Sequence, residues 1–123
     1  MNFNKDGIAP NASRLLWAGF MAILAAGIGF GVRGGLLVSW GSDFGFVAQQ
    51  LGDIAGAGLT GFCFGIIIGG VVCDRLGYGK LILAAFFAHL ISAFVTLGAN
   101  PEQGAMAFNF LYWGSFIFAF ANG

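Results

Sequence analysis

The chain has 123 residues and no formal net charge, with 59% of its residues hydrophobic and 8% charged. A soluble domain carries about 25% charged residues; a water-soluble globule this apolar would expose large greasy patches, whereas a bilayer solvates such a surface. With no basic or acidic tract there is nothing to recruit nucleic acid or an acidic partner, and no cofactor is implied.

The ten acidic and basic side chains are so sparse that they mark out segments. Arg14 and Arg33 enclose the first uncharged run, of 18 residues. The apolar core of a cleavable leader is about 7–15 residues, and further apolar runs follow here, so the pattern predicts a spanning helix. Residues 1–13 then form a cytoplasmic N-terminal segment, and helix 1 covers about 14–40. Trp17 and Trp40 lie 23 residues apart, near the two ends of helix 1, where indole rings favour the membrane interface. At helical rise that is about 35 Å.

Asp53 and Asp74 enclose 20 residues, which predicts helix 2 at about 51–73. Asp53 is expected to open it, its charge suiting the positive helix end, with Gln49 and Gln50 in an outer loop from Gly41 to Gln50. Lys80 and Glu102 enclose 21 residues interrupted only by His89, giving helix 3 at about 80–97, and helix 4 follows at about 105–123. A spanning helix needs about 20 apolar residues, and all four runs meet that length. The alternation of a transmembrane barrel strand is absent. The expected fold is all-α: a polytopic helix bundle with one transmembrane domain over 14–123.

Orientation follows from the basic residues. Lys5 and Arg14 precede helix 1, Arg75 and Lys80 lie between helices 2 and 3, and the other two loops have none. The positive-inside rule then puts the N-terminus and the second loop in the cytoplasm, in a multi-pass protein of the cell membrane. Glycines recur every four residues at Gly27, Gly31 and Gly35 in helix 1 and at Gly61, Gly65 and Gly69 in helix 2. Such stripes let helix backbones approach closely in lipid. Cys63 and Cys73 match no metal or redox spacing and read as buried small hydrophobes.

Between helices 2 and 3 the sequence reads Gly70-Val71-Val72-Cys73-Asp74-Arg75-Leu76-Gly77-Tyr78-Gly79-Lys80. This resembles the signature loop of the major facilitator superfamily, with Gly70, Asp74, Arg75, Gly77 and Lys80 matching; Tyr78 and Gly79 replace basic residues common there. Independently of the resemblance, a short turn that reverses the chain needs glycines able to take positive backbone angles, as Gly77 and Gly79 can. Asp74 can cap a helix start or pair with a basic group. The resemblance implies the first four of twelve helices. It makes Asp74 and Arg75 gating residues, the aspartate meeting a helix of the other half in one state of alternating access. Helix 4 should return to the cytoplasm, yet the sequence ends at Gly123 without a basic flank. This reads as a truncated transporter whose remaining half is the implied partner, and the 123-residue product is expected not to transport by itself.

Arg33 lies within helix 1, where a charge is costly and usually faces a cavity or a partner. Its wheel neighbours are Ala26, Gly29 and Phe30, with Leu36 and Leu37 beyond. Small residues such as Gly29 leave room for a ligand, and the guanidinium fork suits carboxylate or phosphate. Because helix 1 lines the substrate cavity in facilitators, the resemblance makes Arg33 and Gly29 contacts for an anionic substrate. The plainer readings are snorkelling to the outer surface or pairing with Asp43 or Asp53. His89 in helix 3 is either a packed donor or a proton relay. Asn109 and Asn122 serve interhelical bonding or substrate, and the helix 4 aromatics fit packing better than a binding box. With no nucleophile–base pair and no metal-spaced ligands, an enzyme is not expected. Secondary transport is the leading function. A small four-helix dimeric transporter and a non-transporting receptor of facilitator-like fold are the alternatives.

Overall fold

The computed structural model describes residues 10–123. Lys5, counted among the inner basic residues, lies outside them. Among the described residues there are four α-helices and one short 3₁₀ turn: α1 (Ala12–Phe44), α2 (Ala48–Leu76), α3 (Tyr78–Leu97), the 3₁₀ turn Pro101–Gln103, and α4 (Ala105–Asn122). There is no strand among the described residues. The three helices α1, α2 and α3 are long and apolar enough to cross a membrane. α4 falls outside that set: its 18 residues include Asn109, Tyr112, Trp113, Ser115 and Asn122, which lower its hydropathy.

α1, α2 and the start of α3 run past the limits the charges suggested, while the end of α3 at Leu97 and the start of α4 at Ala105 fall where expected. Hydropathy marks where hydrocarbon ends, but a helix continues into water until something breaks its backbone, and here that is glycine. Gly45 (φ 67°), Gly77 (φ 78°) and Gly104 (φ 55°) are the positive-φ residues among those described, and each sits at a helix junction. The outer loop of Gly41–Gln50 therefore shrinks to residues 45–47. Gln49 and Gln50 belong to the first turn of α2, where the Gln50 side chain accepts from the Val47 N–H at 3.1 Å. Asp53 does not open α2. It sits a turn further in and accepts from Gln49 Nε2 at 3.1 Å. Before α4, Asn100 accepts from the Glu102 N–H and Pro101 occupies a first-turn position whose missing N–H is no loss.

The chain divides into two compact units after Gly35. The first holds the described part of α1 up to that residue, with exposed large side chains such as Leu16 (74%) and Ile23 (75%) that suit lipid. In the second, α4 is the central helix: it packs against both α2 and α3, which touch each other far less. Five of its residues are buried, namely Ala107, Leu111, Gly114, Ser115 and Ala119. The surrounding helices carry exposed apolar side chains, among them Ile67, Ile82 and Phe94.

Two kinds of contact hold this unit together. Along α2, Ile54, Ala57, Gly61 and Gly65 form the buried stripe. A Cβ on Gly61 would strike the Phe116 carbonyl, and one on Gly65 the Phe120 carbonyl, so both glycines permit backbone-to-backbone packing with α4. Along α3, Ser92 Oγ donates to the Gly114 carbonyl at 2.8 Å, and the Thr96 hydroxyl lies where a side chain on Gly114 would be. In lipid there is no gain from removing water, so close dispersion contacts and such hydrogen bonds carry the association, at about 0.6 kcal/mol for a typical interhelical bond. At one end Trp40, Ile54 and Leu111 form a buried cluster with Phe44, Phe46 and Phe108 around it. Trp40, expected at the lipid interface, is instead a core residue at 8% exposure, while Trp17 is 59% exposed. Cys63 is exposed and Cys73 half-buried, both as free thiols, which corrects the reading of two buried hydrophobes.

Candidate functional site

The Gly70–Lys80 segment falls on the junction of α2 and α3, and it is tighter than a four-residue turn. Gly77 alone is non-helical, with φ 78° and ψ 157°. Its N–H closes α2 onto the Cys73 carbonyl at 2.8 Å, and its own carbonyl accepts from the Leu81 N–H at 3.3 Å as α3 starts. Gly79 has joined the first turn of α3, so the second positive backbone angle expected of it is not used. Gly70 is an exposed helical residue whose added Cβ would meet nothing within 4 Å.

Asp74 does not cap a helix start. It lies in the last turn of α2, and the residue preceding α3 is Gly77, which offers no side-chain cap. Arg75 in that same turn suits the negative helix end. Asp74 at a C-terminus and Lys80 in a first turn both oppose the local dipole. These two charges therefore do nothing for the helix ends that carry them. All three charged side chains are exposed, and none is paired with another described residue.

Arg33 stands on one particular side of α1. Between residues 21 and 37 the half-buried positions are Ala26, Gly29, Phe30, Arg33 and Leu37, spaced by three or four. That is one face of a helix, the face on which the sequence wheel placed Arg33 and Gly29, and the remaining positions are exposed. Asp43 and Asp53, the two carboxylates considered as its partners, have the neighbours Ser42 Oγ at 3.4 Å and Gln49 Nε2 at 3.1 Å.

His89 is half-buried on the side of α3 that meets α4. Its Nδ1 lies 2.7 Å from the Ala85 carbonyl, which can only accept, so Nδ1 carries the proton in this bond. Its ring meets Phe118 edge-on with centroids 5.5 Å apart. Asn122, expected to bond between helices or to substrate, turns back onto its own helix, donating to the Phe118 carbonyl at 2.9 Å. Asn109 is exposed. The interhelical hydrogen bond came from Ser92, with Thr96 and Gly114 beside it; the four-residue spacing of two hydroxyls in α3 was the signal for it in the sequence. The aromatic rings of α4 contact one another in series, as in Phe108–Tyr112 at 5.9 Å and Trp113–Phe116 at 5.6 Å, which is packing along one helix.

Gly77 and His89 lie twelve residues apart along the chain, at the start and in the middle of α3, and among the described residues no three histidine, cysteine or carboxylate side chains come together to hold a metal. No protein-family model, curated protein or solved structure matches the chain.

Proposed function

We propose that the chain forms part of a secondary active transporter of the major-facilitator type, moving a small anionic solute across a cell membrane by alternating access. One observation carries the reading. The Gly70–Lys80 pattern lies on the junction between two helices of membrane-crossing length, with its charged side chains exposed and unpaired among the described residues. Because Asp74 opposes the dipole of α2, its charge makes better sense as a contact for another part of the transporter than as helix chemistry. In this reading Asp74 and Arg75 latch the junction to a helix of a second half in one state of the cycle and release it in the other. Gly77 sets the direction in which they point.

Arg33 is the substrate contact, its guanidinium fork matched to carboxylate or phosphate, with Gly29 on the same face. α4 supplies a fourth crossing: 18 residues reach about 27 Å, and packing against α2 and α3 buries Ser115 on its inner face. His89 has less behind it as a proton relay, since Nδ1 and the ring edge are already committed within the bundle.

The test is uptake of labelled organic anions into vesicles from cells expressing the complete transporter, with and without the Arg33 substitution. Losing a charge-assisted hydrogen bond costs about 1.5–3 kcal/mol, so Arg33→Gln should lower apparent affinity by about ten- to hundredfold. Normal affinity and rate in a correctly inserted Arg33→Gln protein would remove the substrate role.

A further inference from the structure

The polar side chains at the two ends of α2 and α3 are treated differently. At the end where α2 begins, they are used up locally: Ser42 Oγ donates to the Ser39 carbonyl at 2.9 Å and Gln49 Nε2 to Asp53 at 3.1 Å. Near the end of α3, Asn100 and Gln103 bond each other's turn, the Asn100 N–H donating to Gln103 Oε1 at 2.9 Å. Asp43, Asp53 and Glu102 flank these turns, and no lysine or arginine does. At the α2–α3 junction the opposite holds. Asp74, Arg75, Tyr78 and Lys80 are all exposed, and none makes a hydrogen bond, ion pair or ring contact with another described residue.

Both helices that meet there are of membrane-crossing length, so Gly77 lies at a membrane–water boundary. At that depth the commonest charged group is a lipid phosphate. Arginine offers it a planar fork, lysine a mobile point charge, and a tyrosine ring prefers the headgroup layer. Tyr78, at 78% exposure, stands between the two cations in sequence. The junction carries one positive charge net, from Arg75 and Lys80 against Asp74. This favours a phosphodiester that lacks its own compensating cation.

We propose that the junction is a seat for the phosphodiester of an anionic lipid, held by Arg75 and Lys80 with Tyr78 in the headgroup layer. Asp74 limits the seat to one anion and leaves its own oxygens to water or to a later partner. The proposal rests on α2 and α3 crossing the membrane and is independent of transport.

The experiment uses the purified full chain in detergent with equal amounts of phosphatidylglycerol and phosphatidylcholine, counting retained lipids by native mass spectrometry. A basic residue near an anionic surface is worth about fivefold each. The wild type is expected to retain phosphatidylglycerol about tenfold over phosphatidylcholine, and Arg75→Gln/Lys80→Gln should bring the ratio to within about twofold of parity. Arg14→Gln serves as the control and should leave the preference in place. Soluble glycerol phosphate should not displace the retained lipid. Arg75 and Lys80 are exposed and unpaired among the described residues, and unchanged helix content and monodispersity of each variant confirm the fold. The proposal is overturned if the wild type shows no preference, if the double variant keeps it, if Arg14→Gln alone abolishes it, or if glycerol phosphate displaces the lipid. Uptake measurements with Arg33→Gln bear on transport and leave this result untouched.

Discussion

Gly77 and Gly79 stand two residues apart in the same short junction, and they carry very different constraints. Gly77 holds φ 78° and ψ 157°, a region that a residue with a Cβ enters only at a cost of about 1–3 kcal/mol. Gly79 lies inside α3 with open space around its Cα, where alanine is the better helix former by about 1 kcal/mol. Gly77→Ala is therefore expected to lower the thermal midpoint of the detergent-solubilised protein, and Gly79→Ala to leave it unchanged or raise it. Equal effects would mean that the chain reverses in some other way. Other single residues divide in the same manner. The half-buried face of Arg33 and Gly29 was legible on a helical wheel, because a charge in an apolar run has few tolerable orientations. The burial of Trp40 was not, since an indole near a helix end suits the lipid interface and a protein core equally well. Asp53 was misplaced for a different reason: a charge marks the edge of hydrocarbon and not the start of a helix.

Among the helices, the contrast lies between two glycine stripes of identical spacing. On α2, Gly61 and Gly65 meet the carbonyls of Phe116 and Phe120, leaving no room for a Cβ. On α1, a Cβ added to Gly27, Gly31 or Gly35 would meet nothing within 4 Å. Overpacking a tight site costs about 1–3 kcal/mol, while a substitution in open space stays within about 0.5 kcal/mol. Gly61→Ala and Gly65→Ala should each destabilise the bundle by the larger amount, and Gly27→Ala and Gly31→Ala by no more than the smaller. Thermal unfolding of the four variants in one detergent measures it. A large loss at Gly27 or Gly31 would show that the α1 stripe is packed in the membrane. Spacing makes a stripe visible in sequence, but it is silent on whether a neighbour arrives. The same holds for the hydroxyls of Ser92 and Thr96, which became meaningful only when Gly114 came to lie opposite them.

At the scale of the whole molecule, the prediction concerns sidedness. With both native cysteines replaced by alanine, a single Lys80→Cys is expected to react with a membrane-impermeant thiol reagent only after the cytoplasmic face is opened. A single Glu102→Cys should react from outside in intact cells. The reverse pattern would invert the topology and move the Arg75–Lys80 junction to the outer surface.

The helical class and the presence of helices of membrane-crossing length were written in the sequence alone, because long uncharged runs have few other stable solutions and sparse charges divide them. The charge pattern set approximate helix positions for the same reason. Only the tertiary structure decided that α1 and α2 run on to Gly45 and Gly77, since those backbone breaks lie beyond the hydrocarbon that hydropathy detects. It also decided that α4, which falls outside the three helices apolar enough to cross a membrane, is the central one of its unit. A helix flanked by α2 and α3 can keep Ser115 because protein groups bury it, while Asn122 satisfies itself on the Phe118 carbonyl of its own helix. Hydropathy counts side chains one helix at a time, and which helix lies in the middle depends on all of them together.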